Sequence, residues 1–186
     1  MGAVLEAGLS FAAWQTLNDT IMGGSSSAHC SASSDGLTLE ALVVAEGGGF
    51  VSCRSPIYSP PLDLSNAQGV ELDCSGDGRT YKLAVACGDG LAGLTELIPG
   101  GVRWVIGFAT QAGVRQKLRF GFNQLRASIR ARPVESLPLG MPLRFDSARV
   151  TRFQILHSRF ADDGGANPGF RAGSLRFQLH RLESWP

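Results

Sequence analysis

Three stretches of this 186-residue chain carry side chains in patterns that chemistry uses. The first runs from Trp14 through Asn18, Asp19, Met22, Gly23 and Gly24 to Ser27. Asn and Asp hydrogen-bond their own main chain, and Gly takes positive φ without steric cost, so the run predicts a tight, specified turn. Asp19 in that turn either caps the backbone or holds a cation, and the cap is favoured. The second, Gly88-Asp-Gly90-Leu-Ala-Gly93, spells the dinucleotide fingerprint after a strand-like run. Pro99 interrupts the place where that fingerprint needs a helix, and no acid stands about 20 residues on to hold a ribose. The third, Asp73-Cys-Ser-Gly-Asp77-Gly78, resembles the opening of a calcium loop, but Ala84 occupies the position of its bidentate Glu. A hairpin turn accounts for it better. No nucleophile elbow, zinc-protease helix or paired-carboxylate signature stands elsewhere. The chain therefore reads as non-enzymatic, with no catalytic residue, no cofactor and no metal.

The cysteines and histidines add no site. Cys30, Cys53, Cys74 and Cys87 form no Cys-x-x-Cys pair, and His29, His157 and His180 are scattered. Four cysteines allow three disulfide pairings, but a chain of this size does not need staples, so free and mostly buried thiols are expected. Charge is more informative. Residues 1–101 carry three basic and eleven acidic side chains, whereas residues 102–186 carry fourteen basic and five acidic. Fifteen of the 17 basic residues are Arg, whose planar fork binds carboxylates and phosphates bidentately. Arg54 and Arg79 sit in otherwise apolar or acidic runs and call for a carboxylate, either Asp19 or Asp77 within the fold or a ligand group. Arg126, Arg130 and Arg132 are expected on the surface, as a contact for an acidic partner. Nothing marks a nucleic-acid surface, since no aromatic pattern for base stacking accompanies the arginines.

The elements that must position these residues read as strands. Apolar, β-branched or alternating runs cover 37–44, 50–54, 69–74, 79–87, 102–110, 113–122, 149–156 and 173–185. Glycine and proline corners separate them, and Ser-Gly-Asp-Gly between the third and fourth is a strong hairpin signal. Leu118, Phe120 and Phe122 share one face, as do Leu175, Phe177 and Leu179. Only 62–67 and 123–130 are candidates for a helical turn. About nine short strands without a sustained helical period predict an all-β, single-domain β-sandwich or jelly roll. Residues 1–10 read as a lead and 11–186 as the domain. No run approaches the ~18 apolar residues of a membrane span. Residues 1–13 lack the build of a secretory signal, and Glu6 stands where a myristoylation site needs Ser or Thr. The expectation is a cytoplasmic protein, peripheral at a membrane only through a partner.

Five blocks, in order, resemble the complex I intermediate-associated protein 30 family. They are Trp14…Asn18-Asp19-Thr-Ile-Met22-Gly23-Gly24-Ser-Ser, then Gly47-Gly-Gly49-Phe50-Val-Ser-Cys-Arg54, and Gly76-Asp77-Gly78-Arg79-Thr-Tyr81-Lys82-Leu83. The fourth runs from Phe122 to Val134, and the last combines Gly173-Ser-Leu-Arg-Phe177-Gln-Leu179 with Leu182 and Trp185. In the fourth block Leu125 replaces the usual Phe, Ala127 the usual Pro and Ala131 the usual Gly. The resemblance implies a galactose-binding-like jelly roll and a protein-binding assembly factor for a membrane electron-transfer complex, respiratory or photosynthetic, in a bacterial or cyanobacterial setting. Its partners would be protein subunits of that complex. A carbohydrate- or small-ligand-binding module is the alternative that the same fold class allows. Trp14, Phe50, Tyr81, Trp104 and Phe177 are expected in the core, because aromatics dominate sandwich interiors.

Overall fold

The computed structural model describes residues 2–88, 101–136, 140 and 142–186. In chain order its strands are β1 (Val4–Ala7), β2 (Gln15–Thr16), β3 (Ser27–Ser33), β4 (Gly36–Val43), β5 (Phe50–Arg54), β6 (Gly69–Ser75) and β7 (Thr80–Cys87). They continue as β8 (Arg103–Ala109), β9 (Arg115–Gly121), β10 (Arg126–Ile129), β11 (Arg132–Pro133), β12 (Val150–Ser158) and β13 (Gly173–Trp185). Two antiparallel sheets result. A six-stranded sheet has the order β3-β4-β13-β6-β9, with β1 also paired to β13. A seven-stranded sheet has the order β11-β10-β8-β7-β12-β5-β2.

Period-two alternation decides which faces meet. From the six-stranded sheet, Leu37, Leu39, Leu72, Phe177 and Leu179 point inward and are almost fully buried. From the other, Val51, Tyr81, Leu83, Phe153 and Ile155 meet them. Tyr81 lies at the centre, its ring centroid 4.6 Å from Phe177 and 6.1 Å from Phe108. The expected all-β jelly roll is the fold found. Trp14, Tyr81 and Phe177 are in its core, while Phe50 and Trp104 are half-buried.

Several local expectations differ from the structure. Residues 123–130 do not hold a helical turn as a unit; a 3-10 turn, Phe122–Gln124, leads straight into β10. In the 62–67 stretch, Leu62 bridges to Val150 as an extra ladder rung. β1, inside the segment read as a lead, pairs with β13 through Val4↔Glu183 and Ala7↔Arg181. The glycine-rich run beginning at Gly88 lies, from residue 89 on, outside the described residues.

The expectation of four free thiols is corrected. Cys30 on β3 and Cys53 on β5 form a disulfide, with Cα atoms 6.0 Å apart. They face each other across the sandwich, so the bond joins the two sheets. Closing a loop of 23 residues restricts the unfolded chain by about 3 kcal/mol in the entropic picture. Such a staple persists in oxidising surroundings, which sets it against a cytoplasmic expectation. Cys74 and Cys87 are free, and burial pushes the Cys74 thiol up to about 12.

β10 and β11 form an edge hairpin. Ile129 pairs with Arg132, leaving Arg130 and Ala131 as a two-residue turn. Both lie in the left-handed region, at φ 49° and 63°. That is the type I′ geometry that joins strands with the native twist and favours Gly. The family's usual Gly here has a backbone reason, and this chain meets the same geometry with Ala131. Ala131→Gly should therefore stabilise the protein by about 0.5–1 kcal/mol, raising Tm by about 1–4 °C in a thermal melt. An unchanged or lower Tm would contradict this account of the turn.

Candidate functional site

The Asn18-Asp19 run forms the corner where the chain leaves β2 in one sheet for β3 in the other. A short 3-10 turn, Asp19–Met22, ends at Gly23 in the left-handed region. Asp19 is completely buried. Its Oδ1 accepts from the Ser26 N–H at 3.0 Å, and its Oδ2 from the Ser26 hydroxyl at 2.6 Å and the Gly49 N–H at 2.7 Å. The Phe50 N–H approaches Oδ2 at 3.3 Å. Asn18 adds a bond from its side-chain amide to the Ser26 carbonyl at 3.1 Å. Two glycines are required by proximity. A Cβ on Gly24 would lie 2.4 Å from the Asp19 carboxyl carbon, and one on Gly48 2.5 Å from Oδ2. The first two family blocks are thus one physical unit. Burial alone would raise the Asp19 pKa, but the donors from Ser26, Gly49 and Phe50 outweigh it and hold the group below its ordinary value. Donors occupy both oxygens, so the carboxylate acts as a cap joining two loops. Among the described residues no cluster of His, Cys, Asp and Glu is arranged to hold a metal.

The third block makes a second corner. Asp77 bridges the buried Arg79 guanidinium and accepts from the Tyr81 hydroxyl at 2.9 Å. Arg79 also donates to the Arg171 carbonyl at 3.1 Å and the Ser174 carbonyl at 3.0 Å. Of the two partners weighed for Arg79, the internal one is present. His157 and the Asn167 amide both bond the Thr80 carbonyl, at 2.8 and 3.2 Å. These contacts fasten the segment 159–172 onto the start of β7. Burial holds the His157 pKa below its usual range.

The charge asymmetry resolves differently on the two sheets. On the outer face of the six-stranded sheet, acidic β6 lies beside basic β9. Arg119 meets Glu71 at 2.6 Å and Arg115 meets Asp73 at 2.7 Å, with Lys117 3.6 Å from Glu71. The arginine and lysine partners keep both carboxyls below their usual pKa, against the effect of burial. The strands of the seven-stranded sheet carry bases and no acids. Arg54↔Gln154, Leu156↔Lys82, Lys82↔Gly107, Val105↔Arg126 and Arg103↔Ser128 are register partners. Partners share a face, so Arg54, Lys82, Arg103, Arg126 and Arg152 all project outward, and no acidic residue occupies an outward position on these strands.

Arg126, Arg130 and Arg132, the arginines expected on the surface, are exposed on the edge hairpin at one end of this face. Arg54 is half-buried and, among the described residues, has no ion pair with Asp19 or Asp77. The sequence did not reveal that Lys82, Arg103 and Arg152 join it, because strand register decides that and no motif carries register.

Lys82 is the most unusual member. It stands on the outer face yet is only 5% exposed, because the segment 159–172 folds over it. It lines a cleft of about 240 Å³ with Thr80, Gly107, Ala109, Asp162 and Asn167. Burial pushes its pKa down to about 8, with Asp162 opposing the shift. Asp162 is anchored from the other side, accepting the Gly107 N–H at 2.8 Å. No helix among the described residues is long and apolar enough to cross a membrane.

Comparison with known proteins bears on this geometry. The family described as complex I intermediate-associated protein 30 matches residues 5–179. Among solved structures, the fold is similar to the family 11 carbohydrate-binding module of a cellulosomal cellulase of Clostridium thermocellum. The TM-score is 0.62 at 11% identity, covering 100% of this chain and 94% of that one. The Clostridium thermocellum family 11 module in complex with a β-1,3-1,4-mixed-linked tetrasaccharide gives 0.63 at 12% identity, covering 99% and 95%. An agarase gives 0.54 at 10% identity, covering all of this chain and 25% of the enzyme. At such identities the likeness concerns the fold alone. No curated protein matches the sequence.

Asp19→Asn keeps the shape but replaces an ionised acceptor with an amide that cannot serve all four donors. It should cost about 2–4 kcal/mol at pH 7 by denaturant unfolding. The folded pKa of Asp19 is lowered, so its contribution is present above about 3.8 and is lost as pH falls through the folded value. The gap between the two proteins should therefore narrow below pH 3.8. A gap independent of pH would show that the ionised carboxylate is not what stabilises the corner.

Proposed function

The chain belongs to the complex I intermediate-associated protein 30 family, and from that premise we propose that it is a non-enzymatic assembly factor. It holds protein subunits of a membrane electron-transfer complex during their assembly. The observation that carries the reading is a family match spanning nearly the whole chain. The outward face of the seven-stranded sheet supports it. Arg54, Arg103 and Arg152 project from it, and Arg126, Arg130 and Arg132 continue that charge along an exposed edge. Such a surface suits an acidic protein patch, speeding encounter and rejecting basic competitors. The exposed Ile21 and Met22, at 66% and 64%, add an apolar tip held rigid by the Asp19 corner. A protein with this surface sits at the membrane through its partner.

A carbohydrate-binding role is the second reading, favoured by the likeness to carbohydrate-binding modules. Against it, the outward face offers arginine, glutamine and serine where sugar rings are commonly stacked on exposed aromatics.

The two readings separate in one pair of experiments. Affinity capture from native membranes in mild detergent should recover one membrane complex or its intermediate. The triple reversal Arg126→Glu, Arg130→Glu and Arg132→Glu should cut that recovery at least roughly tenfold. Empty capture, together with a thermal shift on a glycan panel, would replace the assembly reading with the carbohydrate one. Undiminished capture by the triple variant would move the contact off the hairpin.

A further inference from the structure

The Lys82 cleft takes Thr80 and Lys82 from the end of the third family block and its cover from the segment 159–172, and three of its features point to a ligand. First, Lys82 is only 5% exposed, lines the cleft, and makes no hydrogen bond or close ion pair among the described residues, with Asp162 acting on its charge at longer range. Holding an ammonium in so enclosed a place is costly, since only a counter-charge or hydrogen bonds replace its lost hydration. Second, Asp162 uses one oxygen on the Gly107 N–H, and its other oxygen makes no hydrogen bond among the described residues. Third, the residue opposite Lys82 in the ladder is Gly107, which leaves the floor open. A Cβ there would come no closer than 3.5 Å to Asp162, so the space is real and side chains would fit into it.

We propose that this cleft binds a small carboxylate that carries a hydroxyl on the adjacent carbon. The ligand carboxylate takes the Lys82 ammonium, and its hydroxyl donates to the open oxygen of Asp162. Volume sets the size. A cleft of about 240 Å³ takes a two- to four-carbon hydroxy acid at its inner end, beside Lys82 and Asp162. Charge sets the type. Asp162 disfavours a doubly charged anion such as phosphate, and a neutral polyol leaves the ammonium unpaired. Lys82 is already drawn toward neutrality by burial, and a bound carboxylate restores the charged form.

The test uses the full chain, purified, with no partner present, so it stands or falls apart from the assembly reading. Glycolate, lactate and glycerate are the probes, and acetate, glycerol and inorganic phosphate are the controls, read by thermal shift and calorimetry. The hydroxy acids should raise Tm and bind more tightly than acetate, and glycerol should do nothing. Lys82→Met should weaken the binding roughly 10- to 100-fold. Gly107→Leu, which fills the floor but leaves Lys82 in place, should abolish it while circular dichroism reports an intact fold. Absence of any shift with the three acids overturns the proposal. So does an unchanged shift in both variants, or phosphate binding as tightly as glycerate.

Discussion

A single buried carboxylate sets the frame of this molecule. Asp19 sits in the corner between the two sheets with no solvent contact and collects donors from Ser26, Gly49 and Phe50. Removing an ionised group from water is strongly unfavourable unless hydrogen bonds replace the lost hydration. Here backbone N–H groups from two separate loops do so, and satisfying the acid therefore fixes both loops at once. The Ser26 hydroxyl extends the link to the Val44 N–H at 2.9 Å, at the end of β4. Sequence strings that look like independent motifs are the two halves of one arrangement. Side-chain-free positions at 24 and 48 are its steric condition.

The same logic explains where charge is spent and where it is left over. Acids of the first half of the chain and bases of the second half meet on adjacent strands of the six-stranded sheet, and they cancel. Asp77 and Arg79 are consumed in the other corner, holding the segment that leads into β13. What remains is a cationic surface on the seven-stranded sheet.

Much of this was legible in the residues themselves. Strands with clear alternation, such as β9 and β13, fell close to where period two puts them. β3 did not, because Ser27-Ala-His-Cys-Ser-Ala-Ser33 has small and polar side chains with little apolar contrast, and its burial comes from contact with the 3-10 turn Gly8–Ala13 and β4. β10 was obscured for a related reason: it has four residues and takes its extended form from pairing with β8. The Asp19 motif was visible as a string, but its partners lie up to 31 residues away. Register was the missing quantity throughout. It decides that Cys30 meets Cys53 and that Lys82 faces Gly107, and neither follows from spacing along the chain.

The position of β13 has a consequence for how the protein comes into being. This thirteen-residue strand lies between β4 and β6 and also carries β1. Until residue 185 has emerged from the ribosome, β4 and β6 have no partner on that side, and β1 has none at all. Folding on the ribosome can build β3–β4 and β7–β8 as local hairpins, but the first sheet cannot close. Its apolar inner face, with Leu37, Leu39 and Leu72, stays uncovered through most of synthesis. Nascent chains of this topology are exposed to aggregation for longer than their modest size suggests.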